Sequence, residues 1–205
     1  MSNVIDHLIV CVRDLEEGAR VFRDRFGLAS LEGGHHPGHG TANRIVPLGD
    51  FYIELLAAVD PLEAGSSAFG SWATRRATSD GVVDAICLRT EDLSAVATRL
   101  DLESIVMSRR RPDGTELKWS VAGVERAIEE SLPFFIEWHV PAEQMPGRSP
   151  LAHDRRVDTV EEVILSGDPA RLGKWIAGVG GISVVEGPPS IVSVSLGTPE
   201  GTLVL

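Results

Sequence analysis

The sequence predicts an α+β fold made of repeated β-α-β-β-β units, with half-barrels facing one another across a cleft. Three observations carry this. Gly49-Asp50-Phe51-Tyr52-Ile53-Glu54-Leu55 is echoed by Pro133-Phe134-Phe135-Ile136-Glu137-Trp138, each an aromatic-rich strand with one glutamate inside it. Val4-Ile5-Asp6-His7 through Asp14-Leu15 is echoed by Val82-Val83-Asp84-Ala85 through Asp92-Leu93, with the two aspartates equally spaced in both. A third, shorter set of the same elements closes the chain.

Val4 to Val12 is apolar on both parities, apart from Asp6 and His7, so this strand is expected to be covered on both faces. Asp14 caps a helix over Leu15 to Phe26, and Gly27 stops it. Leu28 to Glu32 reads as a short strand, followed by a loop, Gly33-Gly34-His35-His36-Pro37-Gly38-His39-Gly40. Thr41 to Leu48 and Asp50 to Ala57 form a hairpin about Gly49. The second unit repeats the order, with a strand over Val82 to Arg89, a helix over Leu93 to Leu100 capped by Asp92, and strands over Glu103 to Arg109 and Glu116 to Val121. An insertion, Gly123 to Ser131, contains a helical turn at Val124 to Ile128 and delays the last strand, Leu132 to Val140. The third unit has a strand at Val160 to Leu165, a helix begun by Asp168-Pro169, and strands at Ile182 to Glu186, Ile191 to Leu196 and Thr202 to Leu205. The expected divisions are residues 1–62 and 63–140 for the first two units, a Pro-rich linker over 141–156, and the third unit over 157–205.

The 205 residues are enough for a substantial core, and 43% hydrophobic with 24% charged residues is an ordinary globular composition. Nineteen basic against thirty acidic residues give a net charge of −11, which disfavours nucleic acid and anionic membranes as partners. Cys11 and Cys87 fall inside expected strands and read as buried free thiols of a reducing compartment. With no signal segment and no apolar run of membrane-spanning length, the expected location is the cytoplasm. No Ser-His-Asp arrangement, phosphate loop, dinucleotide fingerprint or Cys-x-x-Cys pair is present, which removes several enzyme classes.

Ile5-Asp6-His7-Leu8, the His36-Pro37-Gly38-His39-Gly40-Thr41-Ala42-Asn43 loop, Tyr52-Ile53-Glu54-Leu55 and Phe135-Ile136-Glu137-Trp138 together resemble the glyoxalase-like domains of the vicinal-oxygen-chelate superfamily, over about residues 4 to 140. The resemblance implies paired modules forming a cupped, incompletely closed mixed barrel around a divalent metal, with helices outside. It also implies ligands from the first and fourth strands of each module, which fall here on His7, Glu54, Ala85 and Glu137. Ala85 cannot coordinate, so the chain departs from the four-ligand lyase pattern. It departs equally from the two-histidine, one-carboxylate triad of the superfamily's dioxygenases.

A lone histidine in an apolar strand is usually a satisfied core residue. Unpaired carboxylates at Glu54 and Glu137 change the balance, because each needs a metal, a base or a hydrogen-bonded partner. The expected metal ligands are therefore His7, Glu54 and Glu137, with either glutamate able to act as catalytic base. The bland alternative is a buried polar cluster neutralised by Asn43 or Arg44. Asn43, Arg44, Tyr52, Trp119 and Trp138 are the expected substrate contacts, and the aromatic residues would suit an apolar ligand. His139 shares the face of Glu137 and is read mainly as a strand-end residue. Glu161 is a weaker candidate for a fourth ligand. His35, His36 and His39 are read as bordering a loop at the pocket mouth. Arg109-Arg110-Arg111, beside Pro112-Asp113-Gly114, is either a solvated turn or an anchor for a substrate anion.

Two functions remain open at this level. One is a lyase or isomerase using Zn²⁺, Mn²⁺, Fe²⁺ or Ni²⁺ to stabilise an enediolate or oxyanion. The other is a protein that sequesters a small molecule in the same cup, often as a homodimer in that superfamily. A small-molecule ligand is common to both.

Overall fold

A computed structural model of the chain describes residues 3–78, 81–111 and 114–205. The first unit comprises β1 (Val4–Cys11), α1 (Leu15–Phe26), β2 (Leu31–His36), β3 (Thr41–Pro47) and β4 (Tyr52–Ala58). Two short helices follow, α2 (Pro61–Gly65) and α3 (Ala68–Arg76). The second unit has β5 (Ala85–Arg89), α4 (Leu93–Leu100), β6 (Ser104–Arg110), β7 (Glu116–Ala122), α5 (Val124–Glu130) and β8 (Phe134–Trp138). The last comprises β9 (Thr159–Gly167), α6 (Pro169–Trp175), β10 (Ile182–Glu186), β11 (Ser190–Thr198) and β12 (Gly201–Val204).

The helix boundaries follow from local chemistry. Asp14 accepts from the backbone N–H groups of Glu16 and Glu17, both at 2.9 Å, and Gly27 closes α1 at φ 73°, where a side chain would be strained. Asp92 caps α4 through Ala95 at 2.9 Å. Helices α2 and α3, which pattern reading did not place, start at Asp60-Pro61 and Ser67. Both starts are ordinary capping signals, but the helices are too short to show a clear apolar period.

Strands β1 to β8 form one sheet in the order β2-β3-β4-β1-β5-β8-β7-β6. In each unit the first strand pairs in parallel with the fourth, and β1 and β5 join the halves antiparallel, with His7 opposite Cys87 and Ile9 opposite Ala85. The sheet curls until its edges β2 and β6 approach, and there Arg109 Nη1 donates to the carbonyl of Gly33 at 2.8 Å. The result is a nearly closed barrel.

Burial on both faces explains the unbroken apolar run of β1. Leu8 and Val10 join Phe22, Phe26, Leu55 and Phe135 in a core between the sheet and the outer helices. Ile9 and Cys11 join Ala85, Cys87, Trp119 and Ile136 in a second core inside the barrel. A cavity opens within this inner core.

Residues 159–204 keep the expected element order but pair differently, in a separate sheet of order β10-β9-β11-β12. Here the first strand pairs with the second and third rather than the fourth. This sheet and α6 extend the outer core, where Trp175 packs on Phe135 and donates its Nε1 hydrogen to the Pro133 carbonyl at 2.6 Å. Residues 141–156 are tied down: His153 accepts from the Ala29 N–H at 3.0 Å and binds the Pro47 carbonyl at 2.7 Å. Among the described residues no helix is long and apolar enough to cross a membrane.

One strand is displaced from expectation. β2 begins at Leu31 rather than Leu28 and runs to His36, so half of the expected loop is strand. The cause is a break in register between Glu32 and Gly34, where Asn43 Oδ1 occupies the space that a Cβ on Gly33 would need, 2.0 Å away. Gly33 and Gly34 thus carry a strand irregularity as well as a bend.

Candidate functional site

A cavity of about 260 Å³ lies inside the barrel. The first unit supplies its polar wall, with His7, Ile9, His36, Asn43, Tyr52 and Glu54. The second supplies a mainly apolar wall, with Met107, Trp119, Phe134, Ile136 and Trp138, accompanied by the cation Arg109 and, on α5, the acid Glu125. Phe69 of α3 covers one side, edge-on to His36 and His39 and stacked on Trp72.

His7 is held from behind. The register breaks between Ile5 and His7, which lets Asp6 turn its carboxylate toward its own neighbour. Asp6 Oδ1 accepts from His7 Nδ1 at 2.8 Å, while Oδ2 accepts from Trp138 Nε1 at 3.0 Å and from Arg89 Nη1 at 3.3 Å. An ionised carboxylate only accepts hydrogen bonds, so Nδ1 is the donor in this pair and Nε2 faces forward. Nε2 looks at Glu54 Oε2, 3.6 Å away. The imidazole also stacks on Tyr52, with ring centroids 4.6 Å apart.

Glu54 is only 7% exposed. Its Oε1 accepts from Asn43 Nδ2 at 2.6 Å and lies 3.8 Å from His36 Nε2. Asn43 is aimed in turn by the Gly34 N–H, which donates to its Oδ1 at 2.9 Å. His36 engages Thr41 Oγ1 through Nδ1 at 2.9 Å. Desolvation pushes the pKa of His36 down, against a smaller upward pull from Glu54, which keeps the ring neutral. Burial, with Asp6 and Glu54 nearby, holds the Tyr52 hydroxyl protonated well beyond its ordinary range, so it can serve as a donor.

The first-unit wall gathers groups of the kind that bind a divalent cation. Two ligand atoms at about 2.1 Å from a tetrahedral ion lie roughly 3.4 Å apart. Glu54 comes near that spacing at both imidazoles but with different oxygens, Oε2 at 3.6 Å from His7 Nε2 and Oε1 at 3.8 Å from His36 Nε2. Both histidines have Nδ1 engaged, which is how ligating imidazoles are oriented. A second grouping, Asp6, His7 and Cys87, brings one ligand atom from each within 4.8 Å of the others. Its ligand atoms converge, but Asp6 is already serving three donors and burial drives the Cys87 thiol away from the thiolate a metal needs.

The expected residues divide cleanly. His7, Glu54, Asn43, Tyr52, Trp119 and Trp138 all line the cavity. Glu137 does not: Phe134, Ile136 and Trp138 face inward, and Glu137 points to the other side, where its Oε2 accepts from the Leu93 N–H at the start of α4 at 2.9 Å. Phe135 shares that outward parity and is fully buried in the outer core. Arg44 also faces outward, pairing with Glu16 Oε1 at 2.6 Å and donating to Ser30 Oγ at 3.0 Å. Its neighbour Asn43 takes the inward face, as strand alternation requires.

His139 is exposed at the end of its strand and bonds Ser120 Oγ at 2.7 Å, and Glu161 accepts from Thr202 in the separate sheet at 2.8 Å. Ala85 is buried beside Cys87 and offers no ligand atom. Of the loop histidines, His35 is exposed and His39 bonds Ser67 Oγ at 2.8 Å, leaving His36 nearest the acid. Within the basic run Arg109 enters the cavity, Arg110 is exposed and Arg111 donates to the Gln144 carbonyl. Pro112 and Asp113 lie outside the described residues. Asp6 was missed as a functional residue because adjacent strand positions normally face opposite ways, and only the bulge brings its carboxylate to His7.

The sequence profile of the glyoxalase-like domain family matches residues 5–180, which reaches well past the second unit into the last one. A hypothetical protein from Staphylococcus aureus shares the fold at 19% identity and a TM-score of 0.64, over 92% of this chain and 88% of that one. Methylmalonyl-CoA epimerase from Mycobacterium tuberculosis matches at 19% identity and a TM-score of 0.45, over 65% of this chain and 85% of that one. The Streptomyces coelicolor epimerase, in a variant complexed with 2-nitronate-propionyl-CoA, matches at 18% identity and 0.47, over 66% of this chain and 97% of that one. No curated protein matches. With the family profile covering most of its length and two β-α-β-β-β units closing one barrel, the chain belongs to the glyoxalase-like domain family of the vicinal-oxygen-chelate superfamily.

Proposed function

We propose that the protein is a metal-dependent lyase or isomerase acting on a small oxygen-bearing molecule, with Glu54 and His7 at its centre. The observation behind this is the His7 imidazole, braced by Asp6 and presenting Nε2 to the Glu54 carboxylate 3.6 Å away on the polar wall of the cavity. A divalent ion held by His7, Glu54 and His36 would supply Lewis acidity toward a substrate oxygen. The rest falls to the chain itself. Glu54, steadied by Asn43 at 2.6 Å, is placed to take a proton from carbon next to that oxygen and to return it. Tyr52 offers a protonated hydroxyl, and the Trp119, Trp138 and Phe134 wall excludes water and holds the apolar part of the substrate. A homodimer and a cytoplasmic location belong to the same reading, the first checked by sedimentation.

A second reading, a binding protein without catalysis, is favoured by one observation: hydrogen bonding around Glu54 is already served by Asn43, and among the described residues no buried side-chain N or O lacks a partner. Metal analysis of protein prepared without chelators separates the two. The catalytic reading expects one equivalent of divalent metal, lost in both His7→Ala and Glu54→Ala and kept in Glu137→Ala. Wild-type protein that neither carries nor takes up Zn²⁺, Mn²⁺, Fe²⁺ or Ni²⁺ would leave the binding reading standing alone.

A further inference from the structure

Arg109 is a cation left without a counter-ion among the described residues. It reaches from the edge strand β6 into the cavity, and its one hydrogen bond there goes from Nη1 to the Gly33 carbonyl at 2.8 Å. A guanidinium has five N–H donors, so most of its capacity is unspent. Burial disfavours its charged form, with Tyr52 and Glu54 pulling the other way. A largely buried cation with unspent donors is costly, and a planar fork of donors matches a carboxylate or a phosphate, of which the singly charged carboxylate is the one that Glu54 nearby repels less.

The rest of the cavity limits what accompanies that anion. Its 260 Å³ is about nine water volumes, room for roughly ten non-hydrogen atoms. Met107, Trp119, Phe134, Ile136 and Trp138 line the same half of the cavity as Arg109 and offer apolar and aromatic surface. The guanidinium itself stands where β6 meets β2, near enough to the polar wall that Glu54 and His36 feel its charge. Glu54 itself would repel a second negative charge.

We propose that the protein's substrate is a small aryl or branched-alkyl monocarboxylate, its carboxylate gripped by Arg109 and its hydrocarbon body packed against the second-unit wall. This rests on the reading of the cavity as the working site and adds to it the class of molecule that enters. A neutral molecule of the same shape would leave the guanidinium unpaired, so charge at that end provides the selectivity.

The probe is 3-phenylpropionate against 3-phenylpropanamide, which share shape and differ in charge. Binding is followed by calorimetry and by the fluorescence of Trp119 and Trp138. Wild type should bind the acid at least tenfold more tightly than the amide. Arg109→Met should erase that preference while holding the amide within about threefold, and Arg109→Lys should restore part of it. Because Arg109 also joins β6 to β2, the fold of each variant is checked by urea titration, and Arg109→Gln, polar but uncharged, should lose the preference equally. Equal affinity for acid and amide in wild type, preference surviving in Arg109→Gln, or binding of neither probe at millimolar concentration would each overturn the proposal. Metal retention, which tests the catalytic reading, is measured on wild type and on the His7 and Glu54 variants with no change at Arg109, so the two can fail separately.

Discussion

The two half-barrels carry nearly the same tripeptide on their fourth strands, Tyr52-Ile53-Glu54 and Phe135-Ile136-Glu137, and use it oppositely. β4 and β8 hold matching places, each parallel to the first strand of its unit. In β4 the aromatic and the acid face the cavity. In β8 the middle Ile136 does, while Phe135 enters the outer core and Glu137 meets the N-terminus of α4. One residue of slip exchanges the two faces of a strand. In the second unit the carboxylate becomes a helix cap, favoured by the positive end of the helix dipole, and the cavity wall becomes hydrocarbon. The barrel therefore has one polar wall and one mainly apolar wall.

That contrast can be broken experimentally, and the largest effect should come from the back of the apolar wall. Phe135→Ala should destabilise the fold by about 3–5 kcal/mol in urea titration, since the ring is fully buried against Trp175. A loss below about 1 kcal/mol would mean that the outer core does not depend on it. Next, Asp6→Asn should weaken metal retention roughly 10- to 100-fold in chelator competition, because it removes the charge that orients His7. Unchanged retention would show that the imidazole needs no support from behind. Gly33→Ala puts a methyl against Asn43 Oδ1 and should cost about 1–3 kcal/mol while loosening the Glu54 contact.

Glu137→Gln should lower stability by about 1 kcal/mol as a weakened cap and leave metal binding untouched. Loss of metal there would restore the symmetric arrangement the repeated motif suggests. The smallest effect concerns pH. His36 has a depressed folded pKa, so below its ordinary 6.5 the unfolded chain binds the extra proton first. Stability is therefore full above 6.5 and falls as the pH drops from there toward the folded value, where the change levels off. His36→Gln should remove that part of the pH dependence, and an unchanged slope would place the titration elsewhere.

Much of this was legible in the chain. Asp14, Gly27 and Asp92 placed α1 and α4, because caps act within a turn of the residues that make them. His7 and Glu54 were legible as groups in need of company, because an ionisable side chain in an apolar strand demands a partner, and both line the cavity. Trp119 and Trp138 were legible as aromatic lining. Helices α2 and α3 were not, being short pieces with no apolar period.

Local sequence thus determined the order of the elements, the duplicated units and the first-unit half of the site. Tertiary structure decided which face of β8 looks inward, that Asp6 turns toward His7, that His36 rather than Glu137 stands beside Glu54, and that Arg109 crosses from the far edge. The reason is common to all four. A strand buried on both faces is apolar on both parities, so its alternation does not say which side is the cavity. Only pairing with its neighbours, bulges included, settles that.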